Sequence, residues 1–194
     1  MSPNVSAGVG ASVGPGRRLR VLVINGPNLN LLGTREPAIY GRETLAEINT
    51  GIAARAAELG AVVAFFQSNH EGALIDRLQG RDFDAAIVNA GGLTHTSVSL
   101  RDALLGIECP FVEVHLSDPA TREPFRRVNF LEDIALARYV GMRAAGYHRA
   151  LEELARRWEA GEIEPRAVEV VPGGADAPGD PALGGAEEAP DARA

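Results

Sequence analysis

The chain has 194 residues, of which 45% are hydrophobic, and it carries a formal net charge of −7. This length and apolar content suit one domain with a buried core, whereas no apolar run approaches the ~20 residues that would span a membrane, and the negative charge argues against a nucleic-acid surface. All 19 basic residues are arginine, which excludes a lysine Schiff base and the lysine of a phosphate-binding P-loop.

The two ends of the chain are predicted to be disordered tails. Residues 1–18 are rich in Gly, Ser, Ala and Pro, and residues 164–194 are acidic and rich in Pro, Gly and Ala. Such segments bury too little apolar surface to offset the entropy lost on ordering. One folded domain is therefore expected at residues 19–163. The start of the chain lacks the apolar centre of a secretory signal, and the single cysteine, Cys109, cannot form an internal disulfide, so a cytoplasmic location is expected.

Short apolar runs alternate with helical patterns along this domain. The first strand is predicted at residues 19–24, "LRVLVI", and a helix follows at residues 44–59, where apolar residues recur at helical spacing and Gly60 can end it. Further strands are predicted at residues 61–67, 84–90, 110–116 and 134–141, and further helices at residues 70–79, 96–106 and 144–161. This alternation indicates βαβ units and an α/β fold: a flavodoxin-like doubly wound sandwich, with a five-stranded parallel sheet and helices on both faces.

Polar residues follow each of the first four predicted strands. In a doubly wound sheet the ligand lies beyond the carboxyl ends of the strands. Those ends carry the segments "NGPNLN", "QSNHEG", "NAGGLTHTS" and "EVHLSD". Each segment has an ordinary structural explanation, since Asn and Ser cap helices and "NAGG" can be a tight turn rather than an anion cradle. Their joint position at one edge predicts a binding site there.

Two pairs of charged or titratable residues stand out near the fourth strand. Glu113 and His115 are two apart on a strand and therefore point to the same face. A carboxylate beside an imidazole orients it and stabilises its charged form, which suits a general acid, although the pair could also be purely structural. Arg122 and Arg126 would share a face if their segment were helical, and they could bind an oxygen-rich substrate or simply face solvent.

A tyrosine lies in an irregular loop after the first strand. Tyr40 has Arg35, Glu36 and Arg42 as neighbours in sequence. A free phenol has a pKa of ~10 and is a poor base at neutral pH, but a nearby guanidinium favours the phenolate and lowers that pKa. We therefore interpret Arg35 and Tyr40 as an activator and a base on a lid that closes over the strand ends. The alternative is a packing latch.

Taken together, these segments resemble the type II 3-dehydroquinate dehydratases. The segments "NGPNLNLLGTREPAIYG", "QSNHEG", "NAGGLTHTSVSLRDAL" and "EVHLSDPATREPFRR" occur in the family's order and spacing, over about residues 19–160. The resemblance implies a flavodoxin-like catalytic domain and a lyase of the shikimate pathway, which leads to chorismate and the aromatic amino acids. The reaction would be reversible trans-dehydration of 3-dehydroquinate to 3-dehydroshikimate through an enolate, without metal or organic cofactor. A homododecamer, a tetramer of trimers, is implied as well.

The resemblance also implies catalytic roles by position. Tyr40, as phenolate, would remove the proton from C2, and Arg35 would depress its pKa. Asn28 would hold the water that stabilises the enolate oxygen. His115, oriented by Glu113, would protonate the departing C1 hydroxyl.

The substrate-binding positions follow in the same way. The substrate carboxylate would be held by Asn89 and by the backbone at Leu116 and Ser117. The ring hydroxyls would be bound by His95 and Arg126. A further position, Asp102, would reach the site of a neighbouring subunit. The segment before Arg126 departs from the family's pattern at Pro119 and Pro124, and Pro124 could either bend a helix start or occupy its first turn.

Two other functions remain as alternatives. The first is a non-catalytic flavodoxin-like module that binds a small anion, with "NAGG" as the cradle. The second, a receiver-type signalling domain, would need an acidic cluster and a lysine at the strand ends, where this chain has amides and no lysine. A binding module would not need an arginine-flanked tyrosine on a lid or a Glu–His pair on the facing strand.

Overall fold

Five short strands pair in parallel; the three central strands are almost completely buried, whereas the two edge strands are partly exposed. The structure is a computed structural model that describes residues 17–34 and 42–167. The strands are β1 Arg20–Asn25, β2 Val62–Gln67, β3 Ala85–Asn89, β4 Phe111–His115 and β5 Ala137–Val140. Their order across the sheet is β2-β1-β3-β4-β5, and every pairing is parallel. The predicted five-stranded parallel sheet is therefore confirmed.

Four helices cover the sheet, two on each face. They are α1 Leu45–Glu58, α2 Glu71–Gln79, α3 Val98–Gly106 and α4 Ala145–Glu159. Apolar residues of α1 and α4 pack in one core cluster, and those of α2 and α3 pack in another on the opposite face. This arrangement is the doubly wound sandwich that the sequence predicts. No helix in the described part of the chain combines the length and apolar character needed to cross a membrane.

The start of the first helix, predicted at residue 44, is fixed by a capping residue. Helix α1 begins after Thr44, whose hydroxyl accepts a hydrogen bond from the Glu47 backbone N–H at 3.2 Å, while the Glu47 carboxylate accepts from the Thr44 backbone N–H at 2.8 Å. This reciprocal capping box satisfies two of the free N–H groups of the first turn. The last strand is shorter than predicted: β5 begins only at Ala137, because the preceding N–H groups of Ile134 and Ala135 turn back to the Leu131 carbonyl.

The amino ends of the strands are tied together by the carboxylate of Asp84. This fully buried side chain accepts from the Arg20 guanidinium at 2.7 Å, from the Arg166 backbone N–H at 2.9 Å and from Arg17 at 3.2 Å. Burial by itself raises the pKa of Asp84, but the hydrogen bonds from Arg20 and the backbone outweigh it and hold the pKa below its usual value. Arg17 and Arg166, which the sequence assigned to the tails, thus contact the domain.

The loops after β1 and β3 meet at the topological switch point. The chain leaves β1 towards α1 on one face and leaves β3 towards α3 on the other, so a crevice opens between the two loops. A Cβ atom added at Gly26 would lie only 2.3 Å from the Ala90 carbonyl oxygen. Gly91, which has a φ of +57°, lies against the Pro27 carbonyl. The absence of side chains there lets the two backbones touch and form the floor of the crevice.

Candidate active site

A pocket opens at the carboxyl ends of β1, β3 and β4, where the sequence predicts the site. It is lined in part by residues that the sequence singled out: Asn28, Asn89, His95, His115, Leu116, Ser117 and Arg126. Pro27, Gly91, Gly92, Pro119 and Arg122 also line it. The structure thus brings together residues from three separated segments of the chain. Their chemistry is mainly that of amides, imidazoles and guanidinium groups, which suits a polar substrate that carries oxygen atoms.

The loop after β1 presents Asn28 in an unusual backbone conformation. Asn28 has a φ of +68°, in the left-handed region that asparagine tolerates better than most residues. Its backbone N–H donates to the Asn69 Oδ1 at 2.8 Å, and the same oxygen accepts from the Gln67 Nε2 at 3.2 Å. Asn69, which the sequence marked only as a strand-end residue, therefore fixes the turn that carries Asn28.

A buried network of hydrogen bonds holds the Asn89 side chain. Its Nδ2 donates to the Tyr147 hydroxyl at 2.8 Å, and that hydroxyl donates to the Asn25 Oδ1 at 2.5 Å. The Oδ1 of Asn89 accepts from the Gly91 backbone N–H at 3.3 Å. Burial raises the pKa of Tyr147 above its usual value, so this hydroxyl stays a neutral donor. Sequence analysis missed Tyr147, which lies on the buried face of a helix and looks like a core residue.

Glu113 and His115 are in direct contact at the end of β4. His115 Nε2 lies 2.8 Å from the Glu113 Oε1, and both side chains are buried, Glu113 completely. The expectation that the two side chains share a face of the strand is therefore correct. Asn129 approaches the same carboxylate from the other side, and its Nδ2 donates to both Glu113 oxygens, at 3.1 and 2.9 Å. Sequence analysis gave Asn129 no role.

His95 is fixed through one ring nitrogen. Its Nδ1 lies 2.6 Å from the Val128 carbonyl oxygen. Because a carbonyl can only accept, Nδ1 carries the hydrogen and donates it. In the neutral ring this leaves Nε2 as the nitrogen without a hydrogen, available as an acceptor to a hydroxyl in the pocket.

Arg122 and Arg126 do not lie on one helix, so the condition under which they would share a helix face is not met. One 3-10 turn spans Pro119–Thr121 and another spans Pro124–Arg127, and Arg122 lies in extended backbone between them. Pro124 occupies the first position of its turn, where its missing N–H costs nothing, so it begins the turn rather than bending it. Arg126 is aimed by Glu123, whose carboxylate accepts from its Nε at 2.6 Å.

Two predicted site residues in the described part of the chain, Glu113 and Asp102, do not line this pocket. Arg35 and Tyr40, the predicted activator and base, lie outside the described residues. Asp102 lies on α3, is exposed and does not line the pocket of its own chain. In the described residues, no group of three or more His, Cys, Asp or Glu side chains is placed to hold a metal ion.

Comparison with known proteins agrees with this geometry. Residues 19–155 match the family model of class II dehydroquinases. The chain is 53% identical over 137 residues to a catabolic 3-dehydroquinase 1 of Aspergillus fumigatus, covering 70% of this chain and 91% of that protein. It is 52% identical over 139 residues to a 3-dehydroquinate dehydratase of Bordetella avium, covering 70% and 96%.

Solved structures show the same likeness. The crystal structure of a type II dehydroquinase from Butyrivibrio crossotus matches with a TM-score of 0.69 and 38% sequence identity, over 71% of this chain and 97% of that one. A type II dehydroquinase from Propionibacterium acnes matches with a TM-score of 0.68 and 32% identity, over 72% and 99%. The family match covers the whole sheet and the helices up to most of α4. The chain belongs to the class II dehydroquinase family.

Proposed function

We propose that this protein catalyses the reversible trans-dehydration of 3-dehydroquinate to 3-dehydroshikimate through an enolate, as a hydro-lyase of the shikimate pathway. The observation that carries the proposal is the hydrogen-bonded Glu113–His115 pair, which lies beside a pocket of amides and arginines at the switch point. The proposal is also supported by family membership and by relatives named 3-dehydroquinate dehydratase. The reaction needs no group that this chain lacks.

The substrate is a β-hydroxy ketone, so elimination requires three functions. A base must take the C2 proton, a donor must stabilise the negative charge on the ketone oxygen, and an acid must protonate the departing C1 hydroxyl. We assign the base to Tyr40, activated by Arg35, on the segment outside the described residues. We assign stabilisation of the enolate oxygen to a water held by Asn28.

The acid is assigned to His115. Its Nε2 is engaged by the Glu113 carboxylate, which leaves Nδ1 to give a proton to the leaving hydroxyl. When that proton is transferred, the C1–O bond breaks, water departs and the electron pair of the enolate forms the C1–C2 double bond. The Glu113 carboxylate stabilises the imidazolium that must form before each turnover.

Binding is assigned to the remaining walls of the pocket. The substrate carboxylate is held by Asn89 and by the backbone N–H groups at Leu116 and Ser117. The ring hydroxyls are bound by His95 and Arg126. These assignments are supported by the fixed orientation of each side chain, through Tyr147, Val128 and Glu123 respectively.

The assembly and location belong to the same proposal. A homododecamer, built as a tetramer of trimers, would let Asp102 on the exposed face of α3 reach the site of a neighbouring subunit. A cytoplasmic location fits a chain whose one cysteine is buried and unpaired. Analytical ultracentrifugation and dehydration kinetics of the wild-type protein and of Asp102→Ala together test whether assembly and activity are linked.

The non-catalytic alternative has no observation of its own in its favour. An anion-binding module would use the turn after β3, but it has no need for an imidazole that is oriented by a buried carboxylate. The two functions predict different results when substrate is supplied.

The experiment mixes the purified protein, without added metal or cofactor, with 3-dehydroquinate and follows the ultraviolet absorbance of the conjugated enone product. We expect a rise with the wild type that is lost in Tyr40→Phe and in His115→Ala. Binding of substrate without any rise would replace the enzyme by the anion-binding module. A rise that survives Tyr40→Phe would keep the activity and remove Tyr40 as the base.

A further inference from the structure

We propose that Asn129 is a positioning residue for proton transfer to the leaving hydroxyl, acting through the Glu113–His115 pair. The inference rests on the proposed function, because it concerns the acid of that reaction. Asn129 does not line the pocket, and the motifs that the sequence shares with the family end before it. Its case comes from the hydrogen bonds that the structure shows around the Glu113 carboxylate.

The Glu113 carboxylate is fully buried and must find its hydrogen bonds inside the protein. Oε1 accepts from His115 Nε2 at 2.8 Å and from Asn129 Nδ2 at 3.1 Å. Oε2 accepts from the same Nδ2 at 2.9 Å and, within the described residues, from no other donor. Leaving a buried charged acceptor without a donor costs free energy. The carboxylate is therefore most stable in the orientation in which its Oε2 accepts from Asn129.

The Asn129 amide is itself fixed from the other side. Its Oδ1 accepts from the backbone N–H groups of Leu131 and Glu132, at 2.7 and 3.1 Å. Because two N–H donors hold the oxygen, the nitrogen has to face Glu113. The backbone of residues 131 and 132 therefore orients the Asn129 amide. That amide orients the Glu113 carboxylate, which in turn orients the imidazole of His115.

The segment that carries Asn129 is anchored to the rest of the site. On one side of Asn129, the Val128 carbonyl accepts from His95; on the other side, the Phe130 N–H donates to the Thr94 carbonyl at 3.0 Å. Arg101 on α3 donates to the Phe130 carbonyl at 2.6 Å and pairs with Asp133 at 2.8 Å. Hydrogen bonds thus hold the chain on both sides of Asn129, and a residue that positions another must itself be held in place.

The neutrality of Asn129 matters as much as its position. An arginine at this point would pair permanently with Glu113 and weaken its attraction for a protonated imidazole. An amide donates two N–H groups without a charge, so the carboxylate stays oriented while its negative charge remains directed at His115. Asn129 therefore suits a carboxylate whose partner must gain and lose a proton in each turnover.

The decisive variant is Asn129→Asp. Aspartate keeps an oxygen that can cap the N–H groups of Leu131 and Glu132, but it has no N–H to donate and faces Glu113 with a second negative charge. If Asn129 only caps its loop, Asn129→Asp keeps the cap that Asn129→Ala loses, and its kcat stays above that of Asn129→Ala. If it positions Glu113, kcat falls in Asn129→Asp at least as far as in Asn129→Ala, by roughly tenfold or more, with KM nearly unchanged.

The control variant is Glu132→Gln, which removes the ion pair between the Glu132 and Arg138 side chains from the same loop. It leaves the backbone N–H that caps Asn129 in place and does not touch Glu113. We expect it to keep the wild-type kcat. Thermal unfolding and circular dichroism of all variants identify any that fail to fold. Should Asn129→Asp fail to fold, Asn129→Ala and the double-mutant cycle below decide the question.

The double-mutant cycle combines Asn129→Ala with His115→Ala. Once the acid is absent, a group that acts through it has nothing left to position, so we expect no further fall in kcat beyond that of His115→Ala. A further fall that multiplies the two single effects would overturn the proposal and make Asn129 a structural cap. Absence of dehydration by the wild type would instead refute the proposed function itself.

Discussion

Two carboxylates are fully buried in the described part of the molecule, Asp84 at the amino ends of the strands and Glu113 at the carboxyl ends. Asp84 is surrounded by the guanidinium groups of Arg17 and Arg20, whose charge is permanent. Glu113 is surrounded by an imidazole and an amide, and its cationic partner exists only when His115 is protonated. The first arrangement fixes a charge in place, whereas the second can follow a proton through a reaction cycle.

The difference between Asp84 and Glu113 shows how the partners of a buried carboxylate indicate its role in a doubly wound fold. A carboxylate with permanent cationic partners stays ionised, and removing it leaves those cations without their partner. A carboxylate with a titratable partner and a neutral donor is a candidate for function. The sheet thus carries Asp84, a structural carboxylate, at the amino ends of its strands and Glu113, a candidate functional carboxylate, at their carboxyl ends.

The largest effect is expected from loss of the proposed acid. In His115→Ala, kcat should fall roughly 10²- to 10⁴-fold, because a well-placed general acid contributes that much. Steady-state kinetics of dehydration measure it, and a thermal unfolding midpoint close to that of the wild type shows that the fold is intact. A kcat within a few-fold of the wild type would remove His115 from the mechanism and weaken the contrast between the two carboxylates.

The converse effect is expected at the other end of the sheet. Asp84→Asn should lower the free energy of unfolding by roughly 3 kcal/mol at neutral pH, because Arg17 and Arg20 lose the charge that they face. Well below the unfolding transition, its kcat should stay close to that of the wild type. Urea denaturation and steady-state kinetics measure the two quantities. A large fall in kcat in a folded Asp84→Asn protein would show that the two ends of the sheet are coupled.

A smaller, pH-dependent effect follows from the pKa of Asp84. This pKa is lowered in the folded protein, so in acid the unfolded chain binds the proton more readily than the folded one. The stabilisation is therefore fully present above the ordinary carboxyl pKa of ~3.9 and is lost as the pH falls through the lower folded value. The difference in unfolding free energy between wild type and Asp84→Asn should shrink below about pH 4. A difference that grows with acidity would reverse the sign of this argument.

The smallest effect concerns the network beneath Asn89. Tyr147→Phe removes one buried hydroxyl and should cost about 1 kcal/mol of stability. It should raise KM more than it lowers kcat, because it frees the amide that we assign to the substrate carboxylate. A kcat effect as large as that of His115→Ala would mean that this network takes part in proton transfer.

Much of this architecture could be predicted because its signals are local. Apolar runs and helical spacing predicted the five strands and four α-helices of the described residues, and the strand-end rule located the pocket. The Glu113–His115 contact followed from the two-residue period of a strand. These features depend on neighbours in sequence, which a single chain displays directly.

The residues that support the site could not be found in this way. Tyr147 contacts Asn25 across 122 residues, and Asn129 contacts Glu113 from an irregular segment with no recognisable pattern. The spacing of Arg122 and Arg126 would place them on one face of a helix, but Pro119 and Pro124 each begin a separate short turn, and Arg122 lies between the two turns. The sequence did contain a signal for the two turns, namely the two prolines, because proline favours the first position of a new helical turn.

The contact between the loops after β1 and β3 sets limits on any attempt to redesign the enzyme. Gly26 and Ala90 touch through their backbones, so even a methyl group at Gly26 would force the two loops apart and disturb Asn28 and Asn89 together. A library that randomises this floor would consist mostly of misfolded proteins. Substitutions intended to change specificity are better placed at residues 117–127, where Arg122 and Arg126 line the pocket and where no glycine is needed for a close backbone contact. We expect changes in substrate preference from substitutions in that segment.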